Sequence, residues 1–149
     1  MNLRHELRIG FFAYLLMFLW ESWQLLFFTD SFAYSSPQAI KSLSLIPAAV
    51  WVISIWVLTD VLLILSAYWI VSLIKVRNWY LNPNKNELIF MTSYCFIVSM
   101  ISDKIGINMN WWAYSELMPL IPIINTGLIP SLAFLFIPYL SVKLASMIK

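Results

Sequence analysis

Four stretches of this chain stay apolar for the length of a membrane span, and that pattern restricts its fold more than any other feature. Residues 9–28, 47–74, 88–105 and 120–142 are the four. Crossing the hydrocarbon core takes roughly 20 mostly apolar residues in a helix. Each span must be helical, because lipid offers the backbone no hydrogen-bond partner. Composition agrees. The chain has 149 residues, 62% hydrophobic and 11% charged, whereas soluble domains run near half apolar and about a quarter charged. The surface of a domain this small cannot be kept wet with so few charges. A soluble fold, a disordered chain, a coiled coil and a disulfide scaffold are all excluded. The expected fold is all-α: one transmembrane domain over 1–149, a four-helix bundle with a proline-kinked fourth helix.

The breaks between spans are legible. Residues 30–36 are polar and end at Pro37, and Pro47 suits the first turn of the second helix. Residues 77–86 form a turn-rich loop. Asn108, Asn110, Trp111, Trp112 and Tyr114 form an interfacial aromatic stretch before the fourth span. Ser31-Phe32-Ala33 after the first apolar run has the look of a signal-peptide cleavage site. Glu21 and Gln24 interrupt that run, so it is read as a retained span.

Lysine and arginine set the orientation. Arg4, Arg8, Lys75, Arg77, Lys85, Lys143 and Lys149 fall on one side, seven in all, and Lys41 and Lys104 on the other, two. Both termini are therefore expected in the cytoplasm, and the chain in the inner (plasma) membrane as a multi-pass protein. The net charge of +2 is spread without a basic patch, so nucleic acid is not an expected partner. Cys95 stands alone inside an apolar run and reads as a packed thiol.

The acids carry the functional signal. Glu6 and Glu87 lie on the cytoplasmic side and are expected to be solvated. Glu21 stands seven residues before Phe28, about 10 Å below the outer boundary at about 1.5 Å per residue. Asp60 lies thirteen residues past Pro47, near mid-membrane at about 20 Å. Asp103 ends the third span near the outer surface, and Glu116 precedes the fourth; both can reach water, so solvation stands as an equal alternative to a role in the site. A carboxylate at the centre of a span costs about 2.5–3.5 kcal/mol on insertion scales, and such residues face the bundle interior or a wet cavity. Gln24 lies one turn from Glu21, Trp20 and Trp23 flank them, and Asn125 sits inside the fourth span. The residues point to one outward-opening pocket. Glu21 and Asp60 are its chemical pair; Trp20, Trp23, Gln24, Asp103, Tyr114, Glu116 and Asn125 bind the ligand. The plain alternative is interhelical hydrogen bonding, worth about 0.6 kcal/mol per bond. Pro119, Pro122, Pro130 and Pro138 punctuate the fourth span, with 125–130 the expected break.

Other chemistries lack their residues. His5 is the one histidine and sits in the N-terminal tail, and there are three glycines in the chain. A histidine triad, a zinc site and a phosphate-binding glycine loop are not expected, and neither metal nor cofactor is assigned. Carboxylates for a hard cation are present, but no ligand spacing specifies one. Three chemistries remain: acid/base work by a protonated and an ionised carboxylate, recognition of a cationic or hydroxylated amphiphile against tryptophan, and a carboxylate relay for protons or ions. Whether the pocket catalyses is left open.

Two motifs add a resemblance. At Trp20-Glu21-Ser22-Trp23-Gln24 and at Trp112-Ala113-Tyr114-Ser115-Glu116-Leu117-Met118-Pro119, the chain resembles a family of small bacterial inner-membrane proteins with four predicted spans. That family carries Trp-Glu-x-x-Gln in its first span and Trp-Ala-Tyr-Ser-Glu-Leu-Met-Pro leading into its fourth. The resemblance covers the whole chain. It implies that Glu21, Gln24, Tyr114, Glu116 and Pro119 matter, and it implies no activity.

The leading expectation is a protein that binds or processes a small amphiphile or membrane lipid in an outward-facing acidic pocket. Such a site predicts a cavity of about 300 Å³ or more touching both Glu21 and Asp60. Two rivals stand beside it: a non-catalytic accessory subunit with a membrane-protein partner, and a small proton-coupled carrier, which four spans suit as a homodimer.

Overall fold

A computed structural model describes residues 3–24, 27–29, 45–74, 79 and 83–148. The sequence 31–33 and the positions of Lys41, Lys75, Arg77 and Lys149 lie outside them. Four helices make up the described chain: α1 Leu3–Gln24, α2 Leu45–Ile74, α3 Lys85–Asn108 and α4 Leu128–Met147. Three of them are long and apolar enough to cross a membrane: Val50–Ile74 within α2, all of α3 and all of α4. The first helix carries Arg4, Glu6, Arg8 and Glu21 within its 22 residues and is not among the three.

Each helix packs on its two neighbours in chain order, α4 closing back on α1. The helices run alternately up and down. Arg8 near the start of α1 donates to the Ile148 carbonyl past the end of α4, and His5 lies 6.4 Å from the Tyr68 ring near the end of α2. At the opposite end, β1 Phe28–Thr29 follows α1 and β2 Ala113–Tyr114 follows α3. They pair antiparallel, Phe28 opposite Tyr114 and Thr29 opposite Ala113.

The bundle is sorted in the sense membrane proteins use. On α1 the buried stripe is His5, Ile9, Ala13, Met17, Glu21 and Gln24, whereas Leu3, Leu7, Phe11, Leu15, Leu19 and Trp23 are exposed. On α3 the buried stripe is Glu87, Met91, Cys95, Ser99, Asp103 and Gly106, and Ile89, Phe90, Ile97, Ile101 and Ile105 face out. Both stripes step by about four residues, the row along which helix ridges interlock. Large aliphatic side chains face outward because lipid is as apolar as they are. Small and polar ones turn inward, where close packing and hydrogen bonds are gained. The middle of the core is apolar, with Ile9, Ala13, Met17, Val57, Ile64, Met91 and Cys95 each fully buried or nearly so.

Several expectations change here. Helix α1 ends at Gln24 and the chain is extended by Phe28, because the β1–β2 pairing takes the backbone that a longer helix would use. Helix α4 runs from Leu128 to Met147 rather than over 120–142. The segment before it folds back as a hairpin closed by a Leu120–Gly127 bridge. The cause is local. Pro119 and Pro122 cannot donate to a helix, while Asn125 at φ 54° and Ile123 at φ 78° turn the chain the left-handed way. Pro130 falls in the first turn of α4, where its missing N–H costs nothing; Pro138 lies inside the helix. Glu87 is buried, not solvated, and accepts from the Asn84 backbone N–H at 3.0 Å as half of the capping box that starts α3. Glu6 is also buried.

Candidate intramembrane pocket

A partly open cavity of about 250 Å³ lies between the four helices at the end marked by the strand pair. Each helix contributes by its own periodicity. Helix α1 offers Glu21 and Gln24, one turn apart, and Phe28 follows in β1. Helix α2 offers Trp56, Thr59, Asp60 and Leu63, spaced to share one face. Helix α3 gives Val98, Ser99, Ser102 and Asp103, and the first turns of α4 give Pro130, Ser131 and Phe134. Trp112 closes the wall from the loop after α3. Three carboxyl groups on three helices therefore line one space. Glu21 and Asp103 are buried, while Asp60 is partly exposed.

Asp103 is held most firmly. Its Oδ1 accepts from Trp112 Nε1 at 3.0 Å. Its Oδ2 accepts from the Tyr114 hydroxyl and from the Gly127 backbone N–H at 3.2 Å. The same N–H lies 2.6 Å from the Tyr114 oxygen. These bonds clasp the loop 109–127 onto the end of α3, with help from Lys104 Nζ, which donates to the Ile124 carbonyl at 3.0 Å. Burial first, and then the neighbouring Asp103 carboxylate, keep the Tyr114 hydroxyl above its ordinary pKa. It stays a donor across the physiological range. The expected solvation of Asp103 is thus replaced by a buried hydrogen-bond cluster.

Glu21 accepts from the Gln24 side chain. The Gln24 Oε1 is buried and has no partner among the described residues. Among the same residues, no three of His, Cys, Asp and Glu gather closely enough to hold a metal ion. The acids surround a volume and do not converge on a point.

No family model matches the chain, and no curated protein or solved structure matches it either.

Of the residues singled out in the sequence, Glu21, Gln24, Asp60 and Asp103 share the cavity. Tyr114 stands behind it, bonded to Asp103. Glu116 and Asn125 are exposed and lie off the cavity wall, because the hairpin carries them outward. Trp20 and Trp23 turn to the other side of α1. There, with Leu16, Leu19, Phe136, Ile137 and Leu140, they line an apolar groove of about 430 Å³ against α4. Sequence reasoning missed Trp56, Thr59, Ser99, Ser102, Ser131 and Phe134 as wall residues. Ser99 was within reach, since it sits four residues before Asp103 on the same buried stripe. Ser131 and Phe134 were not, because hydropathy begins the fourth apolar run eight residues before α4 starts at Leu128.

Proposed function

We propose that the chain is a multi-pass inner-membrane protein with four spans and both termini in the cytoplasm, binding or processing a small amphiphile in the intramembrane cavity. The observation that carries this reading is that Glu21 of α1 and Asp60 of α2 line one cavity between the helices. Its volume is somewhat below the expected ~300 Å³, enough for a head group and a short stem. Carboxyl groups at membrane depth are costly, and they are retained where they meet a ligand, an ion or each other. Apolar walls from Phe28, Trp56, Leu63, Val98, Trp112 and Phe134 suit an amphiphile better than a hydrated ion. Glu21 and Asp60 serve as acid and base, or as counter-charge. The outward stripe of Leu7, Phe11, Leu15 and Leu19 supports a membrane position for α1, whose charges sit near its ends.

The test is native mass spectrometry of protein released directly from membrane vesicles. A small adduct present in the wild type and absent from the cavity-filling variant Ser99→Phe supports the reading. A bare chain in both sinks it. The groove at Trp20 and Trp23 favours the accessory-subunit reading as second, and a stoichiometric partner protein in the same spectrum would select it.

A further inference from the structure

The polar wall of the cavity is short of donors. Thr59 gives its hydroxyl proton to the Trp56 carbonyl at 2.6 Å, Ser99 to the Phe96 carbonyl at 2.9 Å and Ser131 to the Gly127 carbonyl at 2.8 Å. Such back-bonding to the preceding turn commits the proton and leaves oxygen lone pairs for anything that enters. The Trp112 N–H is committed to Asp103, and one N–H of the Gln24 amide to Glu21. Ser102, at the exposed rim, is the wall hydroxyl outside this pattern. In their counter-charge role the carboxyl oxygens of Glu21 and Asp60 add to the acceptors, as does the Gln24 Oε1. Gln24 is 4% exposed, and its Oε1 has no partner among the described residues. Among the described residues, no lysine, arginine or histidine is part of the wall.

We infer that the head group taken by this cavity is a cation with several N–H donors: a primary ammonium, an amidinium or a guanidinium on an apolar stem. This inference rests on the reading that the cavity binds an amphiphile, and it names the class. A buried acceptor without a donor is a standing cost, and a primary ammonium brings three donors and a guanidinium five. A quaternary ammonium brings charge alone. The rings of Trp56 and Trp112, 6.2 Å apart, attract any cation through their faces. The committed hydroxyls and Gln24 are what distinguish a donor-rich cation from a methylated one. A phosphate or carboxylate head would meet acids and lone pairs on nearly every polar side. At about 30 Å³ per water-sized volume, 250 Å³ holds the head and a few carbons, with a longer tail left outside.

The experiment uses the full chain in nanodiscs and five probes with one hexyl stem: hexylammonium, hexylguanidinium, hexyltrimethylammonium, hexanol and hexyl phosphate. Binding is read by calorimetry and by the rise in melting temperature. The ammonium and guanidinium probes are expected to bind at least tenfold tighter than the trimethyl analogue. Thr59→Val, a near-isosteric change at a position that is not buried, should lower their affinity severalfold without unfolding the protein. Glu21→Gln should lower it tenfold or more. Equal binding of the trimethyl probe overturns the donor requirement. Preferential binding of hexanol or hexyl phosphate, lost in Ser99→Phe, overturns the inference while leaving the amphiphile reading in place. If none of the five binds, both fall.

Discussion

The Trp112 ring occupies the space that any side chain at Gly106 would need: a Cβ there would stand 2.1 Å from the ring's Cζ2. The absence of a side chain on the last turn of α3 lets the indole sit close against the helix and reach Asp103. Gly106→Ala should therefore displace Trp112, break its bond to Asp103 and open the cavity wall. We expect a destabilisation of about 1–3 kcal/mol, typical of overpacking a close contact. Thermal unfolding in detergent measures it, and a red-shifted tryptophan emission should accompany it. An unchanged melting temperature would contradict this packing.

Tyr114→Phe removes the hydroxyl that bridges Asp103 and the Gly127 N–H while keeping the ring against Phe28, whose centroid is 5.6 Å away. The loss should be about 1–3 kcal/mol, since two buried partners are left short of a bond. Hydrogen exchange should show the Gly127 amide, protected in the wild type, exchanging faster in the variant.

His5 supplies a pH dependence. Burial first, and then nearby Arg8, lower its pKa from 6.5. The unfolded chain therefore takes up a proton before the folded one does. Stability that is full above pH 6.5 is lost as pH falls below it. His5→Gln should flatten that slope between pH 6.5 and the lower folded value. Melting curves across the acidic range decide it, and an equal slope in wild type and variant would count against a buried neutral imidazole.

Ile123 is 99% exposed and holds φ at 78°, a conformation that suits glycine and strains a β-branched residue. Ile123→Gly should stabilise the hairpin by about 1 kcal/mol. The expected readout is a higher melting temperature, with the cavity probes binding as before.

The helices were legible because four long apolar runs admit little else, and the acids because charge inside an apolar run stands out. What was not legible has one physical root. Inside a membrane the usual cue is missing, since lipid-facing and core-facing residues are equally apolar. Leu15 and Met17 look alike on paper, yet one is exposed and the other buried. Polar residues were therefore found and apolar wall residues were not. Helix ends failed for a different reason. The hairpin before Leu128 is apolar in composition but is bent by prolines and by two residues in left-handed conformation, so hydropathy alone extended the fourth span into it. Glu87 was misread because a carboxylate that caps a helix and one that meets water share the same sequence.

The strand pair joins Phe28 to Tyr114, and α4 supplies Ser131 and Phe134 to the cavity. Synthesis proceeds from the N-terminus, so the walls arrive in order. On the four-span reading proposed above, Glu21 and Asp60 enter the bilayer before the segments that will enclose them exist. Until the fourth helix is in place, the enclosure of both carboxyl groups is incomplete, and a charge left at the centre of a span costs about 2.5–3.5 kcal/mol. The first two helices are therefore poor candidates for early release into the membrane. They are expected to stay with the insertion machinery until residues past 128 have emerged, and the pocket is the last part of the molecule to come into being.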